Sequence, residues 1–301
     1  LVLEDGHDLF YRAWDVPDAK ATLHINHGMA EHSLRYSRFA SYLNTLGIAV
    51  YAQDHRGHGY TKEEDEKGWF AERDGWKVVT ADAWEIDKVV THDHPDVPHI
   101  LFGHSMGSFI SRVVLSEHSQ AFAAAVFCGS GSSQGIVGKA GKIIAGRNAR
   151  KYGSRMPDQL FEKIAFGSYI RHFPGEGLFG WLSRDKEEVR KYDEDPLCGF
   201  TCSSGFYIDL LTLIEEANSR KRIAGIRKDI PIMFISGAED PVGGYGKGVE
   251  KAASLYRKAG IEDVRLVLFP DDRHEILNEL DRDVVEKTIG AFVLEAVEDA
   301  E

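Results

Sequence analysis

Two segments of the sequence carry the pattern G-x-S-x-G, in which a serine can act as a nucleophile. The first is centred on Ser105 between Gly103 and Gly107, and the second occupies 131–135 around Ser133. In this pattern a strand runs into a strained turn that exposes the serine Oγ, and the glycines let the backbone pack closely as a helix leaves. The pattern alone also fits a tight turn without chemistry or a cradle for an anion.

The elements predicted around the two serines differ. The apolar run 99–104 (HILFGH) predicts a strand before Ser105, and the run 109–118 (FISRVVLSEH) predicts a helix after it. The segment after Ser133, IVGKAGKIIAG, contains three glycines, and each glycine costs a helix about 1 kcal/mol. We therefore expect a helix only after the first motif, which makes Ser105 the candidate nucleophile and Ser133 a loop serine.

Two late loops offer the base and the acid that a nucleophilic serine needs. A serine hydroxyl is a weak nucleophile near neutral pH and is activated by a histidine that a carboxylate holds in place. Asp240 follows the apolar run 231–237, and His274 follows the apolar run 264–270. The carboxyl ends of parallel strands share one edge of a sheet. Asp240 and His274 are therefore expected to lie near Ser105.

Other interpretations of these loops stay open from the residues alone. Glu239 is a rival acid, and Asp240 could be a turn residue because it precedes Pro241. His274 could be a surface histidine in a polar loop. We expect Asp271, and Asp272 beside it, to be solvated charges.

Acyl transfer also needs backbone N–H donors that point at the developing oxyanion. Met106 follows the candidate nucleophile, so its N–H is one candidate donor. The other is the N–H of Met29, in the loop after the apolar run 21–26, where Gly28 permits a close approach of the backbone.

Short apolar runs alternate with amphipathic segments along most of the chain. This alternation predicts an α/β fold with a mostly parallel central sheet and helices on both faces. The start of the chain, with apolar runs on either side of Asp5-Gly6, predicts a β-hairpin. The predicted strands of the parallel sheet are 21–26, 48–53, 99–104, 124–129, 231–237 and 264–270.

The strand and helix alternation breaks between residues 131 and 225. A structureless loop of that length is uncommon in a domain, so we expect an inserted helical lid (cap) over the strand ends. The predicted organisation is a hydrolase core in two parts, 1–130 and 226–301, with the lid at 131–225. Five lid aromatics could line an acyl tunnel or form the lid's own core, and we favour the core. They are Phe161, Phe166, Phe173, Phe179 and Trp181.

Composition excludes several classes of function. The 301 residues carry a formal net charge of −12, whereas nucleic-acid binding needs clustered Lys and Arg, so no nucleic-acid partner is expected. Three cysteines without a metal-ligand cluster predict reduced thiols and a cytoplasmic location. The sequence shows neither an apolar run of about 20 residues nor a signal-peptide pattern. We expect no metal and no organic cofactor.

Taken together, the motifs resemble the monoacylglycerol lipase and lysophospholipase branch of the α/β-hydrolase fold. The matching segments, in the family's order, are HINHGMAEHSLRY, AQDHRGHGYT, GHSMGS, GAEDPVG and RHEILNE. The resemblance implies a triad of Ser105, Asp240 and His274, with Met29 and Met106 as backbone donors. DPLCGFTCSSGFYIDLL resembles the second half of that family's cap. Thr61 and the pair 271–272 depart from the usual family residues.

The expected activity is hydrolysis of a small-molecule acyl ester, most simply a monoacylglycerol or a lysophospholipid, through an acyl-enzyme intermediate. A short-chain carboxylesterase and an amide or peptide hydrolase on the same scaffold are alternatives. A slow-turnover ligand receptor and an acyltransferase are alternatives of another class. An apolar lid face could touch a membrane transiently, and the sequence does not indicate an oligomeric state.

Overall fold

A seven-stranded sheet forms the centre of the protein in the computed structural model, which describes residues 1–61 and 66–299. The strands lie in the order β1-β3-β2-β4-β5-β6-β7, and β1 is antiparallel to β3 while all other pairs are parallel. Their bounds are β1 Tyr11–Trp14, β2 Ala21–Asn26, β3 Ile48–Gln53, β4 His99–His104, β5 Ala124–Cys128, β6 Ile232–Gly237 and β7 Val264–Phe269. The mostly parallel sheet is as predicted.

Ten α-helices accompany the sheet within the described residues. They are α1 Ser37–Thr45, α2 Gly75–Asp93, α3 Met106–His118, α4 Gly135–Tyr152, α5 Gln159–His172, α6 Lys186–Glu194, α7 Ser204–Ala217, α8 Arg220–Gly225, α9 Lys247–Lys258 and α10 Arg282–Glu298. Helices α1 and α10 pack on one face of the sheet, and α2, α3 and α9 pack on the other. Strands β2 to β6 are buried along their whole length, which explains why they appear in the sequence as continuous apolar runs.

Strand register brings the site loops to one edge of the sheet. Gly103 at the end of β4 is paired with Asn26 at the end of β2. On the other side, Gly237 at the end of β6 is paired with Phe269 at the end of β7. The loops that follow these four strands therefore emerge side by side, as the parallel arrangement requires.

The N-terminal hairpin is much smaller than predicted. Val2 and Asp8 form a single antiparallel bridge across the Asp5-Gly6 turn, and the Leu3 N–H donates to the His7 carbonyl at 2.9 Å. The chain after this turn becomes β1, which pairs with β3 instead of folding back on the first residues.

Five helices, α4 to α8, lie between β5 and β6, where the sequence predicts a helical insertion. The expectation that no helix follows the second motif is wrong, because α4 begins at Gly135. One of its glycines, Gly141, serves packing, because a Cβ there would lie 3.0 Å from Leu211 Cδ1 of α7. The close contact between α4 and α7 offsets the low helix propensity of glycine. The division into a core and a lid domain stays a prediction.

The insertion is attached unevenly to the rest of the molecule. Helices α7 and α8 share a hydrophobic core with α2, α3 and the sheet. Helices α4 and α5 contribute Ala145 and Phe161 to the same core but also leave large apolar side chains exposed, namely Ile136, Val137, Ile143, Leu160 and Ile164. Among the described residues, no helix combines the length and the apolar character that crossing a bilayer requires.

Candidate active site

Ser105 occupies a strained turn between β4 and α3. Its φ of 52° and ψ of −120° place a non-glycine residue in a region that L-amino acids seldom adopt. The Ser105 N–H donates to the Cys128 carbonyl at 2.9 Å, and the Ser108 hydroxyl donates to the Ser105 carbonyl at 2.6 Å. These bonds fix the turn, and the Ser105 side chain stays partly exposed at the strand ends.

The two glycines of this motif have no room for a side chain. A Cβ on Gly103 would lie 2.4 Å from the Gly107 carbonyl oxygen, and a Cβ on Gly107 would lie 2.0 Å from the Asn26 carbonyl oxygen. Helix α3 therefore leaves the turn in direct backbone contact with β2 and β4. This contact is the physical reason for glycine at both positions.

Asp240 and His274 meet at the same edge of the sheet. His274 Nδ1 lies 3.0 Å from Asp240 Oδ2. The buried Asp240 carboxylate also accepts hydrogen bonds from the Ser236 hydroxyl at 3.2 Å and the Val242 N–H at 2.8 Å. The rival acid Glu239 is exposed, and its ion-pair partner is His172, at 3.8 Å. Asp240 is therefore the acid that contacts the histidine.

The electrostatic surroundings of His274 favour its charged form. Burial alone would lower the pKa of His274, but the charge and the hydrogen bond of Asp240, with smaller contributions from Glu275 and Glu31, raise it above 6.5. The ring of His104 lies 4.8 Å from that of His274. Burial, together with the His274 charge, lowers the pKa of His104 to about 4, so His104 stays neutral where His274 titrates.

Packing places His274 beside the turn that carries Ser105. A Cβ on Gly129, just after β5, would lie 3.0 Å from His104 Cε1 and 3.2 Å from His274 Cε1. Within the described residues, the Ser105 hydroxyl makes no hydrogen bond to His274. Such contacts are often long before substrate binds.

The candidate oxyanion donors border the same turn. A Cβ on Gly28 would lie 3.3 Å from Ser105 Cβ, so the loop that contains Met29 lies directly against the serine. Met106 is the first residue of α3, where a backbone N–H has no partner inside the helix. The N–H groups of Met29 and Met106 donate to no acceptor in the described part of the chain.

A buried ion-pair link that the sequence did not indicate joins the oxyanion loop to the histidine loop. Glu31 Oε1 accepts from the Gly28 N–H at 2.5 Å. Arg35 donates to Glu31 at 2.6 Å and to both carboxylate oxygens of Glu275 at 2.7 and 2.6 Å. Burial would raise the pKa of Glu31, but Arg35, with His104 and other neighbours, lowers it to about 2. The i,i+4 spacing of Glu31 and Arg35 could have predicted their ion pair. No sequence pattern predicts the pairing of Arg35 with the distant Glu275.

His27 also holds the oxyanion loop. The His55 N–H donates to His27 Nε2 at 3.0 Å, so the proton of the neutral ring is assigned to Nδ1, which lies 2.7 Å from the Gly28 carbonyl oxygen. Burial lowers the pKa of His27. The neutral ring thus fixes the direction of the Gly28 carbonyl.

The expectation that Asp272 is a solvated charge is wrong, whereas Asp271 is exposed as expected. Asp272 is fully buried, and Arg184 from the insertion donates to it as well as to Glu279 at 3.0 Å and Asp281 at 2.8 Å. Burial and the hydrogen bond to Asp281 raise the pKa of Asp272 to about 8. Arg184 lies far from Asp272 in the sequence. The polar residues next to Asp272 therefore gave a wrong prediction.

The insertion's aromatic side chains pack mainly on one another, as favoured from the sequence. Phe161 stacks on Tyr207 at 4.4 Å, and Phe166 stacks on Trp181 at 5.8 Å. Phe173 and Phe179 join the cluster around Trp181. The Trp181 ring also lies 5.3 Å from the His274 ring, so this cluster reaches the site.

Two groups of side chains within the described residues bring potential metal ligands within 4.8 Å of one another. They are His32, Asp195 and Cys198, and Asp272, Glu279 and Asp281. In each group a carboxylate already pairs with a neighbouring side chain, Asp195 with His32 and Asp272 with Arg184. The expectation that the reaction needs no metal stays a prediction.

Comparison with known proteins shows the family of this chain. Residues 17–281 match the model of the Hydrolase_4 family, described as serine aminopeptidase, S33. The chain belongs to this family. Its mostly parallel sheet and its helices match those of α/β-hydrolase structures, so the predicted fold class and the resemblance are confirmed.

Several relatives of this Hydrolase_4 member are ester hydrolases by name. Monoglyceride lipase of Mus musculus is 29% identical over 241 residues, 80% of this chain and 72% of the lipase. Monoacylglycerol lipase of Mycolicibacterium smegmatis is 26% identical over 308 residues, 96% of this chain and 94% of the lipase. The structure of a carboxyl esterase from Bacillus coagulans is 26% identical with a TM-score of 0.89, covering 98% of this chain and 96% of the esterase. The prediction of an enzyme of the serine ester hydrolase type is thereby confirmed.

Proposed function

We propose that this chain hydrolyses carboxylic acyl esters, with Ser105 as nucleophile, His274 as general base and Asp240 as the residue that orients the histidine. The observation that carries the proposal is the 3.0 Å contact between Asp240 and His274, at the sheet edge where Ser105 occupies its strained turn. The contact at Nδ1 places the imidazole proton on that nitrogen and leaves Nε2 free to accept one.

In the first half of the reaction, Ser105 Oγ attacks the ester carbonyl carbon while its proton passes to His274 Nε2. The carbonyl oxygen becomes an oxyanion, which the N–H groups of Met29 and Met106 stabilise. The bond from carbon to the alcohol oxygen then breaks as His274 returns the proton to that oxygen. The alcohol leaves, and the acyl group stays on Ser105.

In the second half, water replaces the alcohol. His274 takes a proton from the water, the hydroxide oxygen bonds to the acyl carbon, and the oxyanion forms again at the same two N–H groups. Breaking of the bond to Ser105 Oγ, with return of the proton from His274, releases the carboxylic acid. The sequence of steps needs no electron transfer.

We further propose a monoacylglycerol or a lysophospholipid as substrate, with the insertion 131–225 as a lid. The names of two relatives, monoglyceride lipase and monoacylglycerol lipase, support a glycerol ester. The exposed apolar side chains of α4 and α5 support transient contact with lipid that delivers such a substrate. The three buried free cysteines support a reducing compartment, hence the cytoplasm.

A matched pair of variants tests the role of the serine. Ser105→Ala should lower kcat on an activated ester by at least about 10⁴-fold, because loss of a nucleophile removes covalent catalysis. Ser133→Ala, in the second motif, should leave kcat unchanged. Retained turnover in folded Ser105→Ala contradicts the proposal.

A short-chain carboxylesterase is a second candidate, favoured by the likeness to the Bacillus coagulans carboxyl esterase. Rates on p-nitrophenyl esters of increasing chain length, followed by monoacylglycerol against lysophosphatidylcholine, separate the two. A preference for acetate over decanoate selects the short-chain enzyme. A matched anilide tests amide hydrolysis. Repeated turnover excludes a receptor, and acyl transfer to added glycerol in preference to water identifies an acyltransferase.

A further inference from the structure

One part of the insertion contacts both loops of the active site. We propose that residues 180–199, here called the brace, are a fixed component of the catalytic apparatus and that Tyr192 is a positioning residue for the oxyanion loop. This inference rests on the proposed function. It assigns to the insertion a task other than covering the substrate.

The first half of the brace holds the histidine loop through backbone contacts. The Glu275 N–H donates to the Leu182 carbonyl at 2.7 Å, and the Ser183 hydroxyl donates to the Asn278 carbonyl at 2.8 Å. Arg184 adds its bonds to the acidic side chains of the same loop. The segment that carries His274 is therefore shaped by the insertion as well as by β7.

The second half of the brace holds the oxyanion loop at a single carbonyl. The Tyr192 hydroxyl donates to the Ala30 carbonyl at 2.9 Å, and the Gly199 N–H donates to the same oxygen at 3.0 Å. His32, two residues further along the loop, pairs with Asp195 of the brace at 2.9 Å. Both lone pairs of the Ala30 carbonyl are thus occupied by the insertion.

The backbone at Ala30 shows why these bonds matter. Ala30 has a φ of 52°, a left-handed conformation that is unfavourable for alanine. Such a conformation persists only where the surroundings hold it. Ala30 directly follows Met29, whose N–H is a proposed oxyanion donor. Relaxation of Ala30 would turn that N–H away from the reacting carbonyl.

Tyr192 also covers the ion-pair link between the two loops. The Arg35 guanidinium carbon lies 4.8 Å from the centre of the Tyr192 ring, while the same guanidinium bonds Glu31 and Glu275. Tyr192 is buried, and exclusion of water strengthens the ion pairs beneath it. One side chain of the brace therefore supports the oxyanion loop from two directions.

The brace differs from the exposed helices of the same insertion. Residues 180–199 contact both site loops, whereas α4 and α5 carry the exposed apolar side chains. The brace and the exposed apolar surface are thus different parts of one insertion.

The test compares Tyr192→Phe with Tyr207→Phe. Tyr207 is the matched control, because it is a buried tyrosine of the insertion that packs on Phe161 and Phe206. In Tyr192→Phe, loss of one hydrogen bond should lower kcat on a p-nitrophenyl ester about tenfold with KM unchanged, and weaken binding of a trifluoromethyl ketone about tenfold. Amide hydrogen exchange in residues 28–33 should become about tenfold faster. Tyr207→Phe should leave all three quantities unchanged.

The exchange measurement does not depend on turnover, so the two proposals can fail separately. If the wild-type chain hydrolyses esters and Tyr192→Phe matches Tyr207→Phe in kcat or in amide exchange, the proposed role of the brace is wrong and the proposed function stands. If the wild-type chain hydrolyses no ester but Tyr192→Phe still speeds exchange in 28–33, the proposed function is wrong and the structural role of the brace stands. Unchanged exchange in an inactive chain overturns both.

Discussion

Ser105 and Ser133 stand in the same five-residue pattern, and each follows a strand of the same sheet, yet their surroundings have little in common. At Ser105 the backbone is left-handed, and a Cβ on Gly107 would lie 2.0 Å from a carbonyl oxygen of β2. Strand β4 and helix α3 are in backbone contact. Ser105 therefore lies at the edge of the sheet where the loops of Asp240 and His274 also emerge.

Ser133 lies in an exposed loop and is outside the left-handed region. A Cβ on Gly135 would have nothing within 4 Å, and a Cβ on Gly131 would lie 3.2 Å from the Val242 carbonyl. Gly131 thus lies close to the loop after β6, but neither glycine of the second motif joins a strand to the helix that leaves it. The motif therefore identifies a nucleophile only where its glycines are sterically required.

After the serines themselves, the largest expected difference concerns Asp240, the acid that serves only the first motif. Asp240→Asn should lower kcat by about 10² to 10⁴-fold, because the amide no longer fixes the histidine tautomer or stabilises its charge. Glu239→Gln, at the adjacent exposed position, should leave kcat unchanged. Initial rates on a p-nitrophenyl ester measure both. Equal losses of kcat in the two variants would show that Asp240 is not the acid that orients His274.

The glycines give the next difference, in stability. Gly107→Ala should cost at least about 3 kcal/mol, since a backbone carbonyl has to move. Gly135→Ala meets open space, and its φ of 54° limits the cost to about 1 kcal/mol. Thermal unfolding should show a melting temperature lowered by about 3 °C for Gly135→Ala and by roughly three times as much, or loss of folding, for Gly107→Ala. Similar shifts would show that Gly107 is not sterically required.

The smallest expected difference between the two motifs is in the pH dependence of the rate. His274 must be neutral to accept the proton, and its pKa lies above 6.5 because Asp240 favours the charged ring more than burial opposes it. The rate should therefore fall about tenfold per pH unit as pH drops below an inflection above 6.5. Asp240→Asn should move the inflection to lower pH, and Ser133→Ala should leave it in place. An inflection below 6.5 in the wild-type chain contradicts this electrostatic account.

Much of this arrangement could be predicted from the sequence, because strands buried on both faces appear as uninterrupted apolar runs. The predicted runs 21–26, 48–53 and 99–104 have the bounds of β2, β3 and β4. Since the edges of parallel strands coincide, locating Asp240 and His274 after later runs was enough to place them together.

The remaining features depend on contacts between distant parts of the chain. Helix α4 forms despite its glycines, and Gly141 packs against Leu211 of α7, a tertiary contact that local helix propensity does not predict. Asp272 is buried by Arg184, 88 residues earlier, and Ala30 is held by Tyr192, 162 residues later. No local sequence pattern predicts such distant partners.

The central claim is that Ser105 is the activated nucleophile and Ser133 is not. Its most direct test is to treat the folded wild-type chain with a fluorophosphonate probe and to locate the modified residue by peptide mass spectrometry. We expect a phosphonylated peptide containing Ser105, an unmodified peptide containing Ser133, and no labelling of Ser105→Ala. Labelling at Ser133, or undiminished labelling of Ser105→Ala, would contradict it.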